Sequence, residues 1–360
     1  MGNFFRCSIL LKAKPLNSHR SSETVTQLSH EPSQPLAHHI GFVATSCGLV
    51  AATGYMLANI FLRSVTHLDP TWVTCAKALP TVLVCTPLML RRIFNRQSLF
   101  FSTPDVWRTL LVAIIGQLAG NVCFQWSLSV VGLALSVPLT LGAMIASGAL
   151  MGHWILKDRV TFRMAMASLI LVIAICILSL GAMTANQAVS ASDQHSPLSH
   201  AWVIAGVGAA CMAGIAYSLL NVSIRFSSNR GTPQLSILFT VGLVGVVLLG
   251  SIVYGREGRL PIAEMNRQEW IALLGAGSCN LVAFWALTRA LQIASVMFVN
   301  ALNASQTAMA AMAGVLLFGE PLTLAMVTGC VLTILGLLQM RERPLRPKAA
   351  TNHSDKTISN

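Results

Sequence analysis

Residues 55–63 read YMLANIFLR, and 162 positions further on residues 217–225 read YSLLNVSIR. Tyr55, Leu57, Asn59 and Arg63 fall on Tyr217, Leu219, Asn221 and Arg225. Self-similarity at a fixed offset marks a duplicated unit. The same offset carries Lys157-Asp158-Arg159-Val160-Thr161 onto Gly319-Glu320-Pro321-Leu322-Thr323, which places an acidic residue and a Thr at the same helix start in both copies. Trp126 matches Trp285 at an offset of 159, so small compensating insertions separate the copies.

The duplicated unit is hydrophobic. Of 360 residues 54% are hydrophobic and 10% charged, whereas a soluble domain carries about a quarter charged residues. Apolar stretches of about 20 residues, the length that crosses a bilayer core as a helix, recur near 41–62, 71–90, 107–128, 133–155, 164–182, 200–224, 233–254, 270–288, 293–317 and 321–340. They are apolar on every face, without the two-residue alternation of a barrel strand, and so read as helices. The fold expected is an all-α polytopic membrane protein with ten transmembrane helices.

The net charge of +12 would suit nucleic acid if it were spread over a soluble surface. It is not. With the N-terminus in the cytoplasm, all 24 Lys and Arg fall in cytoplasmic segments except Arg63, Arg256, Arg259 and Arg267 outside and Lys77 within a span. That asymmetry is the positive-inside rule. It favours an even number of spans with both termini cytoplasmic, and it leaves nucleic acid nothing to explain. Five spans per copy is an odd number, so the second copy enters the membrane from the opposite side and the repeats are inverted. Arg63 and Arg225, equivalent in the repeat, then stand outside and inside. Transporters use inverted repeats because exchanging the conformations of two similar halves turns a cavity from one side to the other.

The domain reading follows: a disordered cytoplasmic tail at 1–39, rich in Ser, Gln, His and Pro; a first repeat at 40–182; an external loop at 183–199; a second repeat at 200–340; and a cytoplasmic tail at 341–360. The apolar start Phe4–Leu11 makes a poor signal peptide, since its basic residues follow it. Arg6 stands where a myristoylation site wants Ser or Thr. Eight of the nine cysteines lie in apolar spans without metal-ligand spacing and read as small core residues.

Leu317-Phe318-Gly319-Glu320-Pro321-Leu322-Thr323, followed by an apolar span with Gly329 and Gly336, resembles the EamA repeat of the drug/metabolite transporter superfamily. The resemblance extends over about 40–340. The first copy departs from it with Lys157-Asp158-Arg159 where Gly-Glu-Pro is typical, and Asp158 is the residue that carries over. The resemblance implies a ten-helix carrier with a cavity lined mainly by the first, third, fourth, sixth, eighth and ninth spans. No cofactor is expected, and no metal, since the cysteines lack ligand spacing and no zinc motif is present. Members export amino acids and other metabolites, take up sugars or exchange nucleotide sugars.

Polar side chains in hydrocarbon are costly and usually face a bundle interior or a wet cavity. Gln117, Asn121 and Gln125 at i, i+4 and i+8 place three amides on one helical face with Trp126 beside the last. Asn300, Asn303 and Thr307 form a similar stripe in the ninth span, with Gln306 next to it, and Asn280 with Trp285 corresponds in kind to Asn121 with Trp126. These amides and indoles are candidates to line a solute cavity, interhelical hydrogen bonding being the alternative. Asn59 and Asn221 either touch solute or hold helices in register. Lys77 lies roughly 10 Å deep in the second span, where it either attracts a carboxylate or phosphate or snorkels to the headgroups.

No span contains Asp or Glu away from its ends, so a buried carboxylate proton relay is not expected. Any coupling would fall to His153, Asp158 or Glu320, and uncoupled facilitation or exchange fits as well. Pro138 is expected to kink the fourth span, with a consequence for gating. Gly116 with Gly120 and Gly148 with Gly152 read as packing pairs.

Zinc-protease, phosphate-loop, aspartate-pair and G-x-S-x-G signatures are all missing, which argues against an enzyme. The expected function is export of amino acids, metabolites or drugs by alternating access. A sugar or nucleotide-sugar carrier is the alternative, and a scaffold or receptor the rival of another class. A phosphorylated solute would want more than one buried cation, which tilts the reading to neutral or zwitterionic solutes. The expected partners are a small-molecule solute and the lipid of the cell (inner or plasma) membrane; a homodimer is compatible with this reading.

Overall fold

The computed structural model describes residues 34–99, 103–156, most of 162–177, 200–318 and 324–339. Asp158, Glu320, both copies of the motif around them, residues 1–33, the 183–199 loop and the tail from 340 lie outside the described residues.

The helices are α1 (Gln34–Arg63), α2 (Pro70–Phe94), α3 (Thr103–Ile115), a π-helical turn (Gly116–Val122), α4 (Cys123–Val131), α5 (Leu133–Leu156), α6 (His200–Asn229), α7 (Gln234–Glu257), α8 (Arg267–Ile293), α9 (Val296–Asn303), α10 (Ser305–Phe318) and α11 (Leu324–Gln339). No strand occurs among the described residues. Among the described residues seven helical stretches are long and apolar enough to cross a membrane: Gly41–Arg63, Pro70–Phe94, Pro104–Val131, Ser136–Leu156, Ile204–Asn229, Gln234–Glu257 and Arg267–Ile293. A shorter apolar helix covers Ala165–Ala174.

One expected span takes a different form, and two run into residues outside those described. The fifth overlaps Ala165–Ala174 and otherwise lies largely outside the described residues. The ninth, read as one helix, is two: α9 ends at Asn303 and α10 begins at Ser305. At the joint Thr307 N–H donates to the Ala304 carbonyl at 3.0 Å, an i→i+3 bond that tightens the backbone for one turn. The tenth is α11 within the described residues, Leu324–Gln339.

Local chemistry explains the ends. Asp69 caps α2, its carboxylate accepting from the N–H groups of Thr71 and Trp72 at 3.0 Å, with Pro70 at the first helical position, where a missing N–H costs nothing. Asn266 and Glu269 form a reciprocal capping box at the start of α8. Gly132 at φ 79° separates α4 from α5, and Gly258 at φ 72° ends α7, both in backbone that L side chains rarely adopt.

Glycines set the closest helix crossings. α1 lies along α8 at Gly54, where an added Cβ would come within 2.9 Å of the Ala283 side chain. α5 lies along α6 at Gly214, where a Cβ would run into the Thr140 carbonyl. α2 packs on α7 and on α8. Phe42, Leu83, Trp107, Ile204, Val247 and Ile271 face outward. In water so much exposed apolar surface would be a liability; against lipid it is the ordinary exterior.

Candidate functional site

Between the packed helices lies a cavity of about 130 Å³. Its wall includes Tyr55, Asn59 and Leu62 from α1, Thr74, Lys77 and Thr81 from α2, Gln117 and Asn121 from the π turn, and Thr140 and Met144 from α5. The other side is formed by Tyr217 and Asn221 from α6, Val241 from α7, Asn280 and Phe284 from α8, and Asn303 and Gln306 from the broken ninth span. The second and seventh spans therefore contribute as well as the helices implied by the resemblance.

One polar chain crosses this wall. Lys77 Nζ donates to Asn121 Oδ1 at 2.7 Å, Asn121 Nδ2 to Gln117 Oε1 at 2.9 Å, and Gln117 Nε2 to the Val241 carbonyl at 2.8 Å. A carbonyl only accepts, so Gln117 must turn its NH₂ to Val241 and its oxygen to Asn121. Asn121 must then present its own oxygen to Lys77. That oxygen also accepts from the Tyr217 hydroxyl at 3.0 Å. The orientation of every amide in the chain follows from one backbone acceptor on α7.

A second polar cluster sits among α5, α6 and α9. Asn221 Nδ2 donates to Asn300 Oδ1 at 2.8 Å, and Asn300 Nδ2 to the Met144 carbonyl at 3.3 Å. Asn300 is fully buried and passes over Gly148, where an added Cβ would run into its amide nitrogen. Asn221 lines the cavity, so it both faces the open space and ties α6 to α9.

Asn59, Lys77, Gln117, Asn121, Asn221, Asn280 and Asn303 are thus brought to one cavity. Gln125, Trp126, Trp285 and Asn300 are not among its lining residues. Gln125 was expected on the face of Gln117 and Asn121, but the intervening backbone is π-helical, and its wider turn breaks the four-residue register that a regular helix would keep. Gln125 instead donates to the Leu62 carbonyl at 3.4 Å. Trp126 packs against Trp202 with ring centroids 5.8 Å apart, and Trp285 is 45% exposed on the outer surface. Pro138 is buried within α5, which runs through it, and His153 is exposed in the last turn of the same helix.

Tyr55 and Tyr217 were not among the expected site residues, although each opens its copy of the repeated nonapeptide. A phenol is easily read as an interfacial or packing residue. The signal that would have found them is their shared position in the repeat.

Each end of the bundle carries ion pairs. At the end where α1 meets α2, His67 Nε2 lies 2.8 Å from Glu269 Oε1, and Asp69 Oδ2 lies 2.8 Å from an Arg256 Nη2. Burial works to raise the Asp69 carboxyl, but hydrogen bonds from Arg256 and from the Trp72 and Thr71 amides outweigh it and hold the group below the ordinary Asp range. At the opposite end, beyond the length of α2, the fully buried Asp105 carboxylate lies 3.1 Å from Arg108 and 3.4 Å from Arg230. Both guanidinium groups lie over the Phe226 ring, at 4.0 and 5.5 Å.

Among known proteins, a solved crystal structure shares the fold with a TM-score of 0.58 and 16% identity, over 85% of this chain and 96% of that one. No curated protein matches. Residues 204–341 match the EamA-like transporter family. That match covers the second expected repeat, and with several helices long and apolar enough to cross a bilayer the chain is a multi-pass membrane protein that resembles this family over those residues.

Proposed function

We propose that the chain exports small polar metabolites by alternating access between two inverted five-helix repeats, 40–182 and 200–340, that make ten spans with both termini in the cytoplasm. The observation that carries this reading is a duplicated contact. Arg63, at the end of α1, donates to the Leu128 carbonyl at 3.4 Å; Arg225, 162 residues later, donates to the Leu291 carbonyl, 163 residues after Leu128, at 3.1 Å. Each half fastens the end of its first helix to the end of its third span through the same residue type.

The cavity supports the same reading. It draws Tyr55 with Tyr217 and Asn59 with Asn221 from equivalent positions, and carriers of this construction bind solute where the two repeats meet. The bundle ends support it too. Glu269 is the third residue of α8 and Asp105 the third of α3. Their basic partners, His67 and Arg230, follow Arg63 and Arg225 by four and five positions. In the proposed cycle these clamps open in alternation, the His67 clamp outside and the Arg230 clamp inside.

Amides and hydroxyls in the wall suit a polar solute. A cavity of about 130 Å³ holds roughly four waters at about 30 Å³ each, which favours a solute of the size of a small amino acid over a nucleotide sugar. Asn59, Lys77, Gln117, Asn121, Asn221, Asn280 and Asn303 are the solute contacts in this reading. Pro138 and His153, with Asp158 and Glu320, remain the gating or coupling candidates.

Proteoliposomes loaded with a mixed metabolite pool test it, with wild type set beside the Gln117→Ala, Asn121→Ala double variant. Wild type is expected to release one class of solute and the inserted double variant to release little. Wild type that moves nothing, with or without a proton gradient, overturns the carrier reading.

A further inference from the structure

Lys77 is 6% exposed, lines the cavity, and makes its one described hydrogen bond to an amide oxygen. No Asp or Glu stands in the cavity wall, and no described salt bridge includes Lys77. An ammonium held away from water without a counter-charge is costly. Resting on the carrier reading above, we propose that the counter-charge is supplied by the solute: the cavity binds a short-chain monocarboxylate anion through Lys77.

The surroundings hold the charge in position without neutralising it. Asn121 must turn its oxygen to Lys77, because its amide nitrogen is committed to Gln117, whose own nitrogen is committed to Val241. A neutral acceptor locates Nζ yet leaves its charge in place, and an ammonium has three donors, of which this bond uses one. Thr74 and Thr81 stand about one turn to either side of Lys77 on α2 and line the same space. The Thr74 hydroxyl donates to the Pro70 carbonyl at 2.8 Å, so its hydrogen is engaged within the helix.

Charge count and size narrow the class. One cation matches one carboxylate, whereas a phosphoryl group or a dicarboxylate would call for a second. A zwitterionic amino acid would bring an ammonium into a wall that has no carboxylate to receive it. Leu62, Val137, Leu141, Phe284 and Leu287 supply an apolar side for a short carbon chain, and Asn280 and Asn303 supply amides for a hydroxyl or keto substituent. The ligand that fits is a small hydroxy- or keto-monocarboxylate.

The test uses the purified full chain. Thermal unfolding in detergent is followed with lactate, its neutral isostere lactamide, alanine and chloride, for wild type, Lys77→Gln and Lys77→Arg. Lactate is expected to stabilise wild type, with half-saturation about tenfold to a hundredfold lower than for lactamide. Lys77→Gln is expected to lose that preference and Lys77→Arg to keep much of it. Equal stabilisation by lactate and lactamide, by alanine, or by chloride alone overturns the proposal, as does a Lys77→Gln protein that still prefers lactate. If Lys77→Gln does not fold, the comparison of lactate with lactamide on wild type decides. Proteoliposome flux keeps the two failures apart. Movement of neutral solutes with no preference for carboxylates overturns the Lys77 subsite and leaves the carrier, while no movement of any solute overturns the carrier.

Discussion

His67 and Glu269 lie 2.8 Å apart and join the loop after α1 to the third residue of α8, across the two halves of the chain. At the same end the Asp69–Arg256 pair joins the cap of α2 to the last turn of α7. If this end must part for solute to pass, a covalent link there arrests the cycle. A His67→Cys, Glu269→Cys pair on a cysteine-free background is expected to be joined by a short bifunctional methanethiosulfonate reagent, which spans the two side-chain lengths that a direct disulfide would not, and to stop counterflow, with reductant restoring it. Full transport in the cross-linked protein would show that this end does not open.

Asn121 takes two donors on one oxygen and passes its own hydrogen bond to Gln117. Asn121→Leu keeps the branched shape but leaves Lys77, Tyr217 and Gln117 short of partners. Each buried group left unsatisfied costs about 1–3 kcal/mol. The variant is expected to unfold at clearly lower temperature than wild type and to lose solute flux, whereas Gln125→Leu, which lacks a place in the cavity wall, should keep flux. Thermal melts and counterflow on both variants check this.

Gly214 and Gly208 lie on the same helix with opposite surroundings. A Cβ at Gly214 meets the backbone of α5, while one at Gly208 meets nothing within 4 Å. Overpacking of a rigid contact costs about 1–3 kcal/mol. Gly214→Ala is therefore expected to lower thermal stability markedly, and Gly208→Ala to leave it unchanged or slightly raised through helix propensity. Equal melting temperatures for the two would refute the close crossing of α5 and α6.

Asp69 combines a helix cap with an ion pair, and its carboxyl is held below the ordinary Asp range. A depressed folded pKa contributes stability above the unfolded value of 3.8, and that contribution is lost as pH falls through the lower folded value. Asp69→Asn keeps the capping acceptor and removes the charge, so it should flatten the acid side of the stability profile at a cost of no more than about 1 kcal/mol near neutrality. Asp69→Ala also loses the cap and should cost about 1 kcal/mol further. Melting temperatures across pH 3 to 7, on the order of one-unit steps, separate the two contributions.

The polar inventory was legible in the sequence, because Asn, Gln and Lys are conspicuous in apolar spans. Seven of the eleven residues put forward for the cavity do line one. The misplacements have specific causes. Gln125 was assigned by regular helical spacing, which the π turn at Gly116–Val122 interrupts. Trp126 and Trp285 are large and apolar enough to face outward as readily as inward, and they do so beside Trp202 and on the exposed surface of α8. Asn300 is polar and buried, but it is consumed in holding Asn221 and the Met144 carbonyl.

The sequence by itself determined that the chain is helical and lives in a bilayer. That inference needs only local quantities, since an apolar run of sufficient length must satisfy its own backbone and can do so only as a helix. It also carried the duplication, visible as Tyr55 and Arg63 recurring at Tyr217 and Arg225. Only the tertiary structure decided which side chains share a space and which way their dipoles point. The direction of the chain from Lys77 through Asn121 and Gln117 comes from the carbonyl of Val241, 124 residues beyond Gln117. No local pattern encodes that partner, because it depends on how α7 is rotated against the third span.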